Sequence, residues 1–104
     1  MERSELLRQV KARLQEAFGA RLRGVILYGS EARGTAEPDS DIDLLILLEG
    51  PIDDSRDSWT GIRALYPLVL ECGRPIHSDP VEVSEYEAAE FPLYQSAQRE
   101  GITL

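Results

Sequence analysis

The chain has 104 residues, of which 42% are apolar, one cysteine and a net charge of −8. That length fits one small domain, 1–104, whose limited core leaves room for a partner surface to add stability. A lone Cys72 excludes an internal disulfide and a cysteine-based zinc site, and the acidic balance argues against direct nucleic-acid binding, which relies on Lys and Arg to neutralise phosphates. The longest apolar stretch, Leu44 to Leu48, is far too short to span a bilayer. The N-terminus, Met1-Glu2-Arg3-Ser4-Glu5, does not read as a signal peptide, so a cytoplasmic location is expected.

Residues 4–18 carry Leu7, Val10, Leu14 and Phe18 at helical spacing, and Gly19 ends the predicted helix. Residues 23–28 form a β-branched and aromatic run that reads as a buried strand. The stretch from Gly29 to Ser40 is rich in turn formers, and Asp41 to Leu48 reads as a second strand. A helix is predicted over 55–72, with Trp59, Ile62, Tyr66 and Val69 on one stripe and Trp59 and Tyr66 in the core. Pro67 lies inside that stripe and should kink or break the helix. Residues 75–83 read as a third strand that Pro80 confines to an edge or bulge. Ser84 and Glu87 have the spacing of a capping box. Pro92 suits the first turn of a last helix that Gly101 closes. The order is α-β-β-α-β-α, which implies an α/β (α+β) fold: a small mixed sheet with helices packed on it. The apolar tail, Ile102 to Leu104, either closes the core or meets a partner.

Asp41 and Asp43 are two apart on a strand, so both carboxylates leave the same face, with Cα atoms about 7 Å apart. Such a pair suits Mg²⁺, which takes a few carboxylates together with water and phosphate oxygens. Two such ions about 4 Å apart can clamp the attacking and leaving oxygens of a phosphoryl transfer. Gly29-Ser30 follows the first strand. Glycine lets the backbone approach a phosphate, exposed N–H groups at a turn form an anion nest, and Ser30 adds a hydroxyl. Arg33, one turn on, can reach a β- or γ-phosphate. Glu31 sets a negative charge beside this loop, where it can point to solvent.

The run from Gly29-Ser30 through ten residues to Asp41-Ile42-Asp43 resembles the signature of the nucleotidyltransferase superfamily that includes DNA polymerase beta. Ala32-Arg33-Gly34 and Asp39-Ser40 are similar to the flanks of its stand-alone minimal members. The resemblance implies transfer of a nucleoside monophosphate from a Mg²⁺-bound nucleoside triphosphate, with ATP as donor and pyrophosphate released. It also implies a partner. Many minimal members accompany a small helical HEPN-type protein, often an RNase toxin, and act as its antitoxin, in some cases by adenylylating it. A third carboxylate is expected on the third strand. Alternation puts His77, Asp79, Val81 and Val83 on one face, which makes Asp79 the expected third catalytic and metal-binding acid. His77 shares that face, and a disturbance at Pro80 would bring Glu82 into play.

Three functions compete: an active transferase acting on a protein hydroxyl, a catalytically weak nucleotide-binding module that neutralises a partner by binding, and a small-molecule nucleotidyltransferase. The last normally needs an extra acceptor domain, and the length leaves no space for one or for template-directed polymerisation. Homo- and hetero-oligomers both remain open.

Overall fold

The computed structural model describes residues 1–104. Helix α1, Arg3–Phe18, buries Leu6, Val10, Leu14 and Phe18, with Leu7 on the edge of that stripe. Its first turn is capped by Glu2, whose carboxylate accepts from the backbone N–H of Ser4 at 2.8 Å and of Glu5 at 3.2 Å. Gly19 closes it with φ +60. A 3₁₀ turn, Gly19–Arg21, leads into β1, Leu22–Tyr28. A short helical turn, α2, spans Gly29–Arg33, and β2 follows at Ile42–Leu48. Helix α3 covers Asp54–Cys72, β3 Ile76–Glu82, α4 Val83–Ala88, α5 Pro92–Glu100, and β4 Ile102–Thr103.

The sheet order is β3-β2-β1-β4. β1 runs antiparallel to β2 and to β4, while β2 and β3 are parallel, so the sheet is mixed as expected. Alternation along β2 sorts its side chains onto two cores. Ile42, Leu44, Ile46 and Leu48 pack under α1 and α3. Leu45 and Leu47 join Ile26, Val81, Tyr86 and Ala97 under α4 and α5. Asp43 belongs to this second face by the same alternation. No helix is long and apolar enough to cross a membrane.

Pro80 lies on an edge strand, as its missing N–H requires, and Pro92 and Gly101 bound α5. The C-terminal tail closes the open side of β1. Leu104 donates its N–H to the Val25 carbonyl at 2.9 Å, and its own carbonyl accepts from Lys11 Nζ at 2.7 Å.

Of the two outcomes expected at Pro67, the break is absent: α3 runs on through it, with Pro67 on the exposed side, where water can satisfy the carbonyl it leaves unpaired. Two expectations are corrected. The stripe of α3 that meets the sheet is Asp57, Gly61, Leu65 and Leu68, whereas Trp59, Ile62 and Tyr66 face outward and Val69 is half-buried. Two contacts decide that rotation. Asp57 is held inside by a bidentate pair with Arg21, at 2.9 and 3.0 Å. Gly61 lets the helix approach β2 so closely that a Cβ there would stand 3.0 Å from Ile46 Cδ1. Finally, α4 starts at Val83, two residues too early for Ser84 to cap it, and the Ser84 hydroxyl instead donates to Glu82 at 3.3 Å.

Candidate active site

The antiparallel β1–β2 pair brings the end of β1 against the start of β2, and the parallel β3 starts beside β2. Gly29, Asp41, Asp43, His77 and Asp79 therefore gather at one end of the sheet. Tyr28 stands opposite Asp43, and Asp43 stands opposite His77. Gly29 has φ +74, a conformation that disfavours side chains, and a Cβ there would lie 2.5 Å from Asp43 Oδ2. The loop backbone and the Asp43 carboxylate thus fit against one another with no atom to spare. Ser30 begins the turn that follows, and its carbonyl accepts from the Thr35 N–H at 3.0 Å.

Glu31 does not point to solvent. Its carboxylate accepts from Arg3 Nε at 2.7 Å and from Arg74 Nη2 at 2.6 Å, and only 11% of its side chain is exposed. Arg74 also donates from Nε to the Ser40 carbonyl at 2.9 Å. The far end of the loop is closed by Ser40, whose hydroxyl accepts from the Glu37 N–H at 2.8 Å. Arg74, in the segment before β3, therefore ties down both ends of the Gly29-to-Asp41 connection, and Arg3 ties the Glu31 end to α1 as well. The two guanidinium groups hold the Glu31 carboxyl below its usual range and cancel the charge that it would bring to the loop.

Burial raises the Asp43 carboxyl above its ordinary value of 3.8, and the charges of Asp41 and Asp79 raise it further, while His77 and Arg33 oppose them. Asp41 itself is exposed at the entry to β2. His77 sits between two acids, with Nδ1 3.9 Å from Asp43 Oδ1 and Nε2 3.8 Å from Asp79 Oδ1. Asp79 shares the face of Asp43 but pairs with Leu45, one step further along the strand. Glu82 is elsewhere: it lies against Gly50 at the opposite end of the sheet. Arg33 is exposed at the rim, where Nη1 reaches Glu100 Oε2 at 3.5 Å.

Tyr28 was not legible as part of this group. Burial and the charges of Asp79 and Asp43 push its hydroxyl up to about 12, so at neutral pH it is a phenol that can donate. Its only signal in the sequence is that it precedes Gly29. Tyr94, on α5, also feels Asp79 and is raised chiefly by burial.

No three His, Cys, Asp or Glu side chains converge as a ready cage for a metal ion. The donor set nonetheless fits Mg²⁺, which binds through one or two carboxylates and leaves its other positions to water and substrate phosphate. The unfavourable crowding of charge around Asp43 is what such a cation would relieve.

A mixed sheet that sets a Gly-Ser turn against an Asp-x-Asp strand defines a phosphate-handling domain of the nucleotide-transferring class. The chain belongs to the nucleotidyltransferase domain family, which matches residues 7–100. No curated protein matches it in sequence. Among solved structures it is similar to a toxin–antitoxin with AMP-PNP, with TM-score 0.63 and 20% identity over 90% of this chain and 68% of that one. A variant of the toxin–antitoxin MntA-HpeT gives TM-score 0.63 and 19% identity over 100% of this chain and 72% of that one. The spectinomycin adenyltransferase of Enterococcus faecialis, with ATP and spectinomycin, gives TM-score 0.63 and 23% identity over 78% of this chain but 34% of that enzyme. At these identities the likeness establishes a shared fold.

Proposed function

We propose that this chain transfers AMP from ATP to a hydroxyl of a partner protein, and that it serves as the antitoxin of a HEPN-type toxin. The observation that carries the transferase reading is the contact between loop and acid: the Gly29 backbone lies where only a glycine leaves room for the Asp43 carboxylate. A triphosphate laid on the Gly29-Ser30 turn would meet that carboxylate at once. Ser30 and the turn N–H groups would bind the phosphates, and Arg33, at the rim, would pair with the outer ones. Asp41 and Asp43 would hold Mg²⁺, which when bound supplies neutralisation of the triphosphate charge.

The acceptor hydroxyl attacks the α-phosphorus. A new P–O bond forms as the bond to the bridging oxygen breaks, and pyrophosphate leaves. The proton of the hydroxyl goes to a base, for which Asp79 is the proposed group because it is the acid of β3 on the Asp43 face.

The second reading, a nucleotide-binding module that neutralises its partner without catalysis, is favoured by one observation. The place opposite Asp43 on β3 is taken by His77 rather than by an acid. The deciding experiment incubates the protein with its genomic neighbour, labelled ATP and Mg²⁺. Label should pass to a tyrosine, serine or threonine of the partner, and Asp43→Asn should abolish it without dissolving the complex. Asp79→Asn should then cost far more activity than His77→Ala; the reverse order would transfer the base role to His77. A stable complex that never takes label would decide for the module.

A further inference from the structure

Trp59, Ile62, Tyr66 and Leu70 follow one another at intervals of three and four residues along α3, so they share one side of the helix. They are 60, 45, 55 and 66% exposed, and they belong to neither core. Isolated apolar residues on a surface need no explanation, but a continuous helical stripe of four large ones marks a contact face.

The border of the stripe carries a distinctive charge. Six arginines of this acidic chain, Arg3, Arg8, Arg21, Arg23, Arg33 and Arg74, are engaged in ion pairs. The other four, Arg13, Arg56, Arg63 and Arg99, are engaged in none; Arg99 lies on α5, where Nη2 reaches the Ser96 hydroxyl at 3.4 Å, and the remaining three gather at α3 and α1. Arg56 and Arg63 flank the stripe on one side of α3, and Arg63 and Arg13 line a shallow groove of about 320 Å³ between α3 and α1, together with Glu16. Three cations without partners beside an apolar seam call for carboxylates on whatever covers it. A second copy is disfavoured on the same ground. Antiparallel two-fold packing of α3 on itself would set the arginine row beside its own copy, and in either orientation the contact joins molecules that each carry −8. Nucleic acid is disfavoured by that charge and by Glu16 within the groove.

We propose that the outer face of α3 is a docking surface for an amphipathic helix of a protein partner, one with an apolar seam and carboxylates along one edge. Such a helix would seat its seam on Trp59, Ile62, Tyr66 and Leu70 and its acids against Arg56, Arg63 and Arg13. The face lies across the sheet from Gly29 and Asp43, so docking leaves that site open and does not depend on the transferase reading.

Trp59 is the only tryptophan, so its emission reports docking directly. The probes are two designed tryptophan-free helical peptides with the same leucine seam, one flanked by Glu and the other by Lys. The Glu peptide should shift Trp59 emission to the blue and saturate, with the Lys peptide at least tenfold weaker. Arg56→Glu with Arg63→Glu should invert that preference. Tyr66→Ser and Leu70→Ser should each weaken the Glu peptide at least fivefold while circular dichroism and the melting midpoint hold. Equal affinity for both peptides, or no spectral change with either, would overturn the proposal. So would a dimer in sedimentation that Tyr66→Ser dissolves, or a labelled oligouridylate that binds this face more tightly than the Glu peptide does.

Discussion

Gly29→Ala separates the two things that Gly29 does. With φ at +74, an alanine there pays the cost of the left-handed region, about 1–2 kcal/mol. For a chain of this size that lowers the melting midpoint by about 4–16 °C. Gly73→Ala is the control: its φ is +72, but a Cβ there would meet nothing within 4 Å. At Gly29 the new methyl would stand 2.5 Å from Asp43 Oδ2 and 3.3 Å from Cγ, so the carboxylate must swing away. A carboxylate can rotate cheaply, so the two variants should melt within a few degrees of each other. Binding of Mg²⁺ and ATP should differ. Displacing one charged ligand removes an interaction of about 1.5–3 kcal/mol, which is about 10- to 150-fold in affinity. Calorimetry with ATP and Mg²⁺, beside thermal unfolding, measures both. If Gly29→Ala binds as tightly as Gly73→Ala, the contact between loop and acid has no part in nucleotide binding.

Ser30→Ala should weaken ATP binding by about 1–3 kcal/mol, the loss of a hydrogen bond to a charged group, and unchanged affinity in the same calorimetry would remove Ser30 from the phosphate site. Asp43→Asn should stabilise the free protein at pH 7. The folded state raises this carboxyl, so its ionised form costs stability above the raised value, and the gain from Asn should close as pH falls towards 3.8. Melting curves across that range check the sign, and a variant less stable at pH 7 would refute it. Arg21→Ala strands the buried Asp57 carboxylate, 1% exposed, and should cost about 3 kcal/mol, read by urea denaturation. A loss under about 1 kcal/mol would mean that Asp57 finds another partner.

The core of the candidate site was legible from sequence because those residues lie in one short window. Gly29-Ser30 and Asp41-Ile42-Asp43 are a turn and a strand start joined by ten residues, and alternation alone puts both acids on one face. The strand pattern and the bounding Pro92 and Gly101 were legible for the same local reason. Period-two alternation also placed His77 and Asp79 together on β3.

What tertiary structure decided is what depends on contacts distant in sequence. Helix α3 offers two apolar stripes at helical spacing, and periodicity cannot rank them. The choice came from Arg21, 36 residues away, drawing Asp57 inward, and from Gly61 closing on Ile46. Glu31 reads from sequence as a stray charge beside a phosphate loop, and only the fold brings Arg3 and Arg74 to either side of it. The register of β3 against β2, which sets His77 rather than Asp79 opposite Asp43, is likewise a matter of pairing between strands. Side-chain period and turn chemistry are properties of a few consecutive residues. Which face is buried, and which charge finds its partner, is settled only when separate segments pack.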